Sequence, residues 1–215
     1  MAACADSNTH PSLSSVVIDD PDTLVSGETV AQWVEDYIRW TFQAPFGPTS
    51  TINDPTGSIA DALNPCGAQM YFVTGAPSGS DRTFHIRMGE PVLVPVRVAV
   101  DSEGPGIPPE FPDPVARVNE VLNGSTFTDG SVTLDGETVI DLPVLNTGIF
   151  SAGVATEGTV GQVITGANSG ASLETTGAKG YFVVLNGLSP GVHELKDSSV
   201  LNGAVSTHTD HLIVG

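Results

Sequence analysis

The sequence predicts a mainly β fold, an antiparallel sandwich or jelly-roll-like domain with one N-terminal amphipathic helix and one further short helix. Three observations predict it. Residues 125–215 break into short β-prone runs divided by turn signals. Tyr181–Leu185 is continuously apolar, as a strand covered on both faces must be. Helical periodicity is confined to two segments, near residues 29–42 and 114–122. A chain of 215 residues with 40% hydrophobic content can bury one sizeable core. We therefore read an N-terminal arm over 1–27 and a single sandwich domain over 28–215.

The arm is polar, with Asp19, Asp20 and Asp22 around Pro21, and Val16–Ile18 offers an edge strand. The helix over 29–42 opens on Thr29, with Gln32 three residues on, a capping-box pattern. Val30, Trp33, Val34, Tyr37, Ile38 and Thr41 share one face, which reads as core rather than as a carbohydrate platform. Pro45 and Gly47-Pro48 stop the helix, and 43–68 is loop-like. Strand signals follow at Gln69–Thr74, Arg82–Met88 and Pro91–Val100. In the second, Thr83, His85 and Arg87 form a wet face opposite Phe84, Ile86 and Met88. Pro95 makes the third an edge strand or a bulged one.

An acidic, proline-rich loop is expected over 101–114, and Asp113-Pro114 then caps the short helix, closed by Asn123-Gly124. Asp135-Gly136 between Ser131–Leu134 and Glu137–Asp141 predicts a two-residue hairpin turn. Ile149–Ala155, Thr159–Thr165, Ala171–Thr175, Val192–Lys196 and Val205–Val214 complete the expected strands of a C-terminal sheet over 125–215.

Charge narrows the function classes. With 25 acidic and 7 basic residues the net charge is −18, a field that repels nucleic-acid phosphates and anionic membranes and attracts cations. No apolar run approaches the ~18 residues of a membrane helix. Two cysteines, Cys4 and Cys66, cannot build a disulfide framework. Met1-Ala2-Ala3-Cys4 reads as the end of a lipoprotein cleavage site or as a chance match.

Three groups of residues are candidates for chemistry. Asp101, Glu103, Glu110 and Asp113 lie in or beside the proline-rich loop, where carboxylates can gather around calcium, although EF-hand spacing is absent. His208-Thr209-Asp210-His211 is the densest set of metal-ligand types; on a strand His208 and Asp210 share a face and His211 points away, so the expectation is a lone surface pair, with His193 or His85 as further ligands in the alternative. Thr83, His85 and Arg87 form a candidate binding surface. A fourth pattern, Gly187-Leu188-Ser189-Pro190-Gly191, matches the Gly-x-Ser-x-Gly elbow of serine hydrolases. Pro190 has no N–H for an oxyanion hole and no helix follows, so it reads as a hairpin turn.

Several segments in order carry a resemblance: Ala31-Gln32-Trp33 through Trp40, Asp54-Pro55-Thr56-Gly57, Cys66 ahead of Gln69–Thr74, Arg82–Met88 with Gly89 leading into Val92–Val100, Leu134-Asp135-Gly136, and Gly180–Leu185 leading to Leu188–His193. Together they resemble a loose family of bacterial secreted proteins of unknown function, over most of 28–214. The resemblance implies export and a β-rich fold, and no activity. Family members often carry a second cysteine in the strand matching Arg82–Met88, where Phe84 or His85 stands here. The family-type disulfide is thus in doubt, and Cys66 is expected to be a free, buried thiol.

These readings lead to a non-enzymatic extracellular or surface protein that self-associates or joins another surface protein in a cell-surface layer, filament or virion exterior, without a cofactor. The alternative is a secreted calcium-dependent domain that binds or cleaves carbohydrate.

Overall fold

The structure, a computed structural model, describes residues 17–48, 50–64 and 68–215, apart from the side chain of Ile140. Cys4, Cys66 and most of the arm lie outside these residues. The protein is mainly β, with two five-stranded sheets stacked as a sandwich and a helical layer on the far face of the first sheet.

The described residues begin with β1 (Val17–Ile18), β2 (Leu24–Val25) and β3 (Glu28–Thr29) before helix α1 (Val30–Gln43). Thr29 and Gln32 form the expected capping box. Short helix α2 (Ser58–Leu63) lies where the sequence reads as loop. Then come β4 (Tyr71–Phe72), β5 (Ser80–Ile86) and β6 (Val92–Glu103), and helix α3 (Pro114–Gly124), whose N-cap Asp113 accepts from Ala116 N–H. The C-terminal part holds β7 (Phe127–Leu134), β8 (Glu137–Ile140), β9 (Leu145–Phe150), α4 (Val160–Thr165), β10 (Thr175–Leu185), β11 (Gly191–Leu201) and β12 (Ala204–Val214).

Sheet one runs β1-β10-β6-β4, with β9 also on β10; sheet two runs β5-β12-β11-β7-β8. Pairings are antiparallel except β4 with β6 and β5 with β12. The expected C-terminal sheet over 125–215 is therefore corrected. Its strands divide between two sheets, and β10–β11 is a crossover rather than a hairpin. The acidic loop also begins later than expected, because Asp101–Glu103 continue β6 as strand, opposite Gly177–Thr175 of β10.

Strand β10 explains the architecture. Tyr181, Val183 and Leu185 face sheet two and, with Val92 and Val94 of β6 beside them, close one core against Phe84, Leu195 and Leu212 of sheet two. Phe182, Val184 and Ala178 face Trp33, Val34, Tyr37 and Ile38 of α1 in a second. An uninterrupted apolar run is what burial on both faces demands. Trp33 and Tyr37 are core as expected, and the Trp33 indole donates to Val25 O at 2.8 Å.

Pro95 is accommodated by a bulge: the β10–β6 register slips between Tyr181 and Phe182, which face Arg97 and Pro95. Beside it, Gly180 lies so close to Arg97 that a Cβ would overlap the Arg97 carbonyl oxygen. We expect Gly180→Ala to cost about 2–3 kcal/mol, measured by urea denaturation. A loss under ~0.5 kcal/mol, within the range of ordinary surface substitutions, would show that the strands can part there.

Thr159–Thr165 is corrected from strand to helix α4. Thr159 Oγ1 accepts from Gln162 N–H (3.4 Å), Gln162 Oε1 accepts from Gly158 N–H (2.8 Å), and Gly166 ends it in the left-handed region. Gly161 lets this helix approach Phe42 of α1. The two-residue turns at Asp135-Gly136 and Asn202-Gly203 have positive φ at both residues, the hairpin geometry that Asp-Gly and Asn-Gly favour.

Candidate functional site

Sheet two presents an outward face built from five strands. Alternation along its strands sends Arg82, Phe84, Leu195, Asp197, Asp210 and Leu212 inward and leaves a mainly polar set outside, with Val192 and Val205 exposed among it. Register then aligns them in rows. Asp81, Thr209, Lys196, Thr133 and Thr138 form one unbroken row across all five strands, about 19 Å wide at ~4.8 Å per strand. Thr83, His211 and Glu194 form the next, and His85, Ile213 and Val192 the third. Neighbouring hydroxyls of Thr133 and Thr138 are 2.9 Å apart, His211 Nε2 lies 2.9 Å from Asp81 Oδ1, and Lys196 donates to Glu194.

Thr83 and His85 thus belong to this face, as the sequence suggests. Arg87 does not: it lies past the end of β5, in the turn closed by Glu90 N–H to Arg87 O (3.0 Å). Met88, expected on the buried side, is exposed.

The outer edge of β5 is closed. Thr83 N–H donates to Thr56 O (3.0 Å) and His85 N–H to Asp61 Oδ1 (2.9 Å). This cover hangs on Asp54, which is fully buried. Its carboxylate accepts from Thr56, Gly57, Ile59 and Ala60 N–H groups at 2.9–3.3 Å and from the Thr74 hydroxyl at 2.9 Å. Asp54-Pro55-Thr56-Gly57 is therefore a carboxylate-centred staple that turns the chain into α2 and seals a sheet edge. Asp61 also accepts from the Tyr71 hydroxyl (2.6 Å), and burial followed by that bond pushes Tyr71 upward from its ordinary value. At the opposite edge β8 is short, with Glu137 and Thr138 exposed.

His208 and Asp210 share a face, as the alternation requires, but it is the inner one. Asp210 accepts both Arg82 Nε (2.7 Å) and Nη2 (2.8 Å), with the pair 0% and 3% exposed. His208 Nδ1 lies 2.9 Å from Asp197 Oδ1. The expectation of a surface pair is thus replaced by a buried ionic cluster whose partners come from β5 and β11. His211 points outward, as expected.

The acidic candidates separate. Asp113 caps α3 and Glu110 accepts from Gly106 N–H (2.8 Å). Asp101 and Glu103 stay close, two residues apart on β6, with Arg117 of α3 4.0 Å from Glu103. Burial raises both carboxyls; Asp101 adds to the rise at Glu103, and Arg117 opposes it at both. Both residues border a cleft of about 260 Å³ that also involves Phe42, Ile107, Pro108 and Ile164. Among the described residues no three His, Cys, Asp or Glu side chains come together in an arrangement that could hold a metal.

The crossover after β10 holds an arrangement that residue spacing alone does not reveal. His193 Nδ1 lies 2.6 Å from Asp135 Oδ2, and Nε2 lies 3.4 Å from Ser189 Oγ. That is the order of a hydrolytic triad, but Nε2 is nearer the Ser189 carbonyl oxygen, at 2.8 Å. A ring nitrogen donating to a carbonyl is not free to take a serine proton. Pro190 still offers no oxyanion donor. The histidine clamps the crossover to the Asp135-Gly136 turn.

No described helix is long and apolar enough to cross a membrane. No family model and no curated protein matches the sequence. Among solved structures, the solution structure of Amebosin aligns at 18% identity over 69% of this chain and 100% of that one, with a TM-score of 0.28. At that score the likeness carries no argument.

Proposed function

We propose that the protein is a non-enzymatic structural domain of an extracellular surface assembly, associating with copies of itself through the outward face of sheet two. The observation that supports this reading is the five-strand row of Asp81, Thr209, Lys196, Thr133 and Thr138. Threonine has few rotamers to lose on contact, and the long side chains Lys196 and Glu194 are already paired. Such a face docks on a flat partner at low entropic cost. The closed edge of β5 favours contact across the face over strand addition there.

A second reading, a calcium-dependent glycan-binding or glycan-cleaving domain, draws support from the cleft beside Asp101 and Glu103. Light scattering coupled to size exclusion, with calcium and with chelator, separates the two. Assembly predicts species larger than the 22.1 kDa chain in both buffers. A monomer that changes shape or melting temperature only with calcium would move the assignment to the cleft.

A further inference from the structure

Inside sheet two, four ionisable side chains from three strands meet with little access to water. Arg82 of β5 is 3% exposed, Asp210 0%, Asp197 of β11 5%, and the His208 side chain 8%. One guanidinium stands against two carboxylates, so with both carboxyls ionised the cluster is neutral when His208 carries a proton. Geometry agrees. Both ring nitrogens face oxygens, Nδ1 that of Asp197 at 2.9 Å and Nε2 the Ala76 carbonyl at 3.3 Å, with Ser206 Oγ at 3.5 Å. Around it stand the Thr74 carbonyl, which accepts from Arg82 Nη1 at 2.6 Å, the Phe84 ring under the guanidinium, and Tyr37 across the core; the Thr74 hydroxyl in turn binds the buried Asp54 carboxylate.

The segment between β4 and β5 rests on these contacts. Its Thr74 and Ala76 carbonyls are held by Arg82 and His208. Gly79 N–H donates to Thr207 O (2.6 Å) and Thr207 N–H to Ser78 Oγ (3.1 Å), next to His208 on β12. An unprotonated His208 would leave one buried carboxylate without a counter-charge and keep only one N–H for the two oxygens of Asp197 and Ala76, and an uncompensated buried charge is costly.

We propose that this cluster is a proton-held latch: protonated His208 fastens residues 76–79 to β12, and loss of that proton releases the segment while the rest of the sandwich stays folded, residues 73–75 remaining tied to Leu93, Asp54 and Thr51. The inference goes beyond the assembly reading and does not depend on it. The direction of the His208 shift agrees. Burial lowers it, Asp197 raises it, and the net is upward from the ordinary histidine value of 6.5. The folded value lies above the unfolded one, so this stabilisation is complete below pH ~6.5 and is lost as pH rises through the folded value. Asp210 is raised too, by burial first and against Arg82, and its contribution has the same sign. The wild-type profile alone therefore does not isolate the histidine, and variants do.

The test is amide hydrogen exchange of the full chain from pH 5.5 to 8.5, corrected for the intrinsic chemical rate, alongside NMR titration of the imidazoles. In the wild type, protection of the Gly79 and Thr207 amides is expected to fall at least tenfold as His208 titrates, while the β10–β6 amides keep theirs. His208→Gln should show the low protection already at pH 5.5 and no step. Asp197→Asn should move the step to lower pH. Flat protection in the wild type, an unchanged step in His208→Gln, or a His208 that titrates at or below 6.5 would overturn the proposal. If His208→Gln does not fold, the wild-type titration and Asp197→Asn decide.

Discussion

Asp54→Ala is expected to lose about 4 kcal/mol of stability, among the largest effects of any single substitution in this chain. The carboxylate is fully buried and gathers four backbone N–H groups and the Thr74 hydroxyl. Alanine removes every acceptor at once and leaves the N–H groups of α2's first turn without partners, and each unsatisfied buried donor costs about 1–3 kcal/mol. Water entering the vacated space recovers part of that, which keeps the expected loss below the sum. Asp54→Asn keeps one acceptor oxygen and should lose about half as much. Urea denaturation measures both. A loss under ~1 kcal/mol for alanine, no more than one ordinary hydrogen bond is worth, would mean that the staple does not hold the β5 edge.

Arg82→Met is expected to cost about 3–5 kcal/mol, because it leaves Asp210 buried and unpaired. The pair itself is worth much less than the penalty for breaking it. The double variant Arg82→Met/Asp210→Leu should therefore recover most of the loss, since an apolar pair of similar volume avoids desolvating two charges. A double-mutant cycle by chemical denaturation reads the coupling. Additive losses from the two substitutions would contradict a bidentate ion pair at this position.

What could be read from the sequence was local. Helix α1 announces itself through Thr29, Gln32 and a face of apolar residues at helical spacing, all within one segment. The β7–β8 hairpin is legible because Asp135-Gly136 sets its own geometry, and the bulge opposite Pro95 because proline cannot serve a regular ladder. Helix α4 was hidden by its β-branched Val160, Val163 and Ile164, which favour strand; the Thr159–Gln162 cap and Gly161's contact with Phe42 outweigh that preference.

The division of strands between two sheets was not legible, because it depends on partners far apart in the chain. β5 lies beside β12, more than a hundred residues later, and β6 beside β10. The candidate sites follow the same rule. Alternation alone puts His208 and Asp210 on one face and His211 on the other. Which face is buried depends on Arg82, 128 residues from Asp210. Thr83 and His85 are recognisable as a wet face, but Thr133, Thr138 and Thr209 join them only through the register of five strands.

That register supports the assembly reading, and disrupting it is the most direct test. Sedimentation velocity should compare the wild type with Thr133→Arg/Thr209→Arg, which places two long cations in the central row while leaving both cores intact. The account predicts concentration-dependent association in the wild type and a folded monomer in the variant, with unchanged circular dichroism. A wild type that is strictly monomeric at every concentration, or a variant that associates as the wild type does, would contradict it.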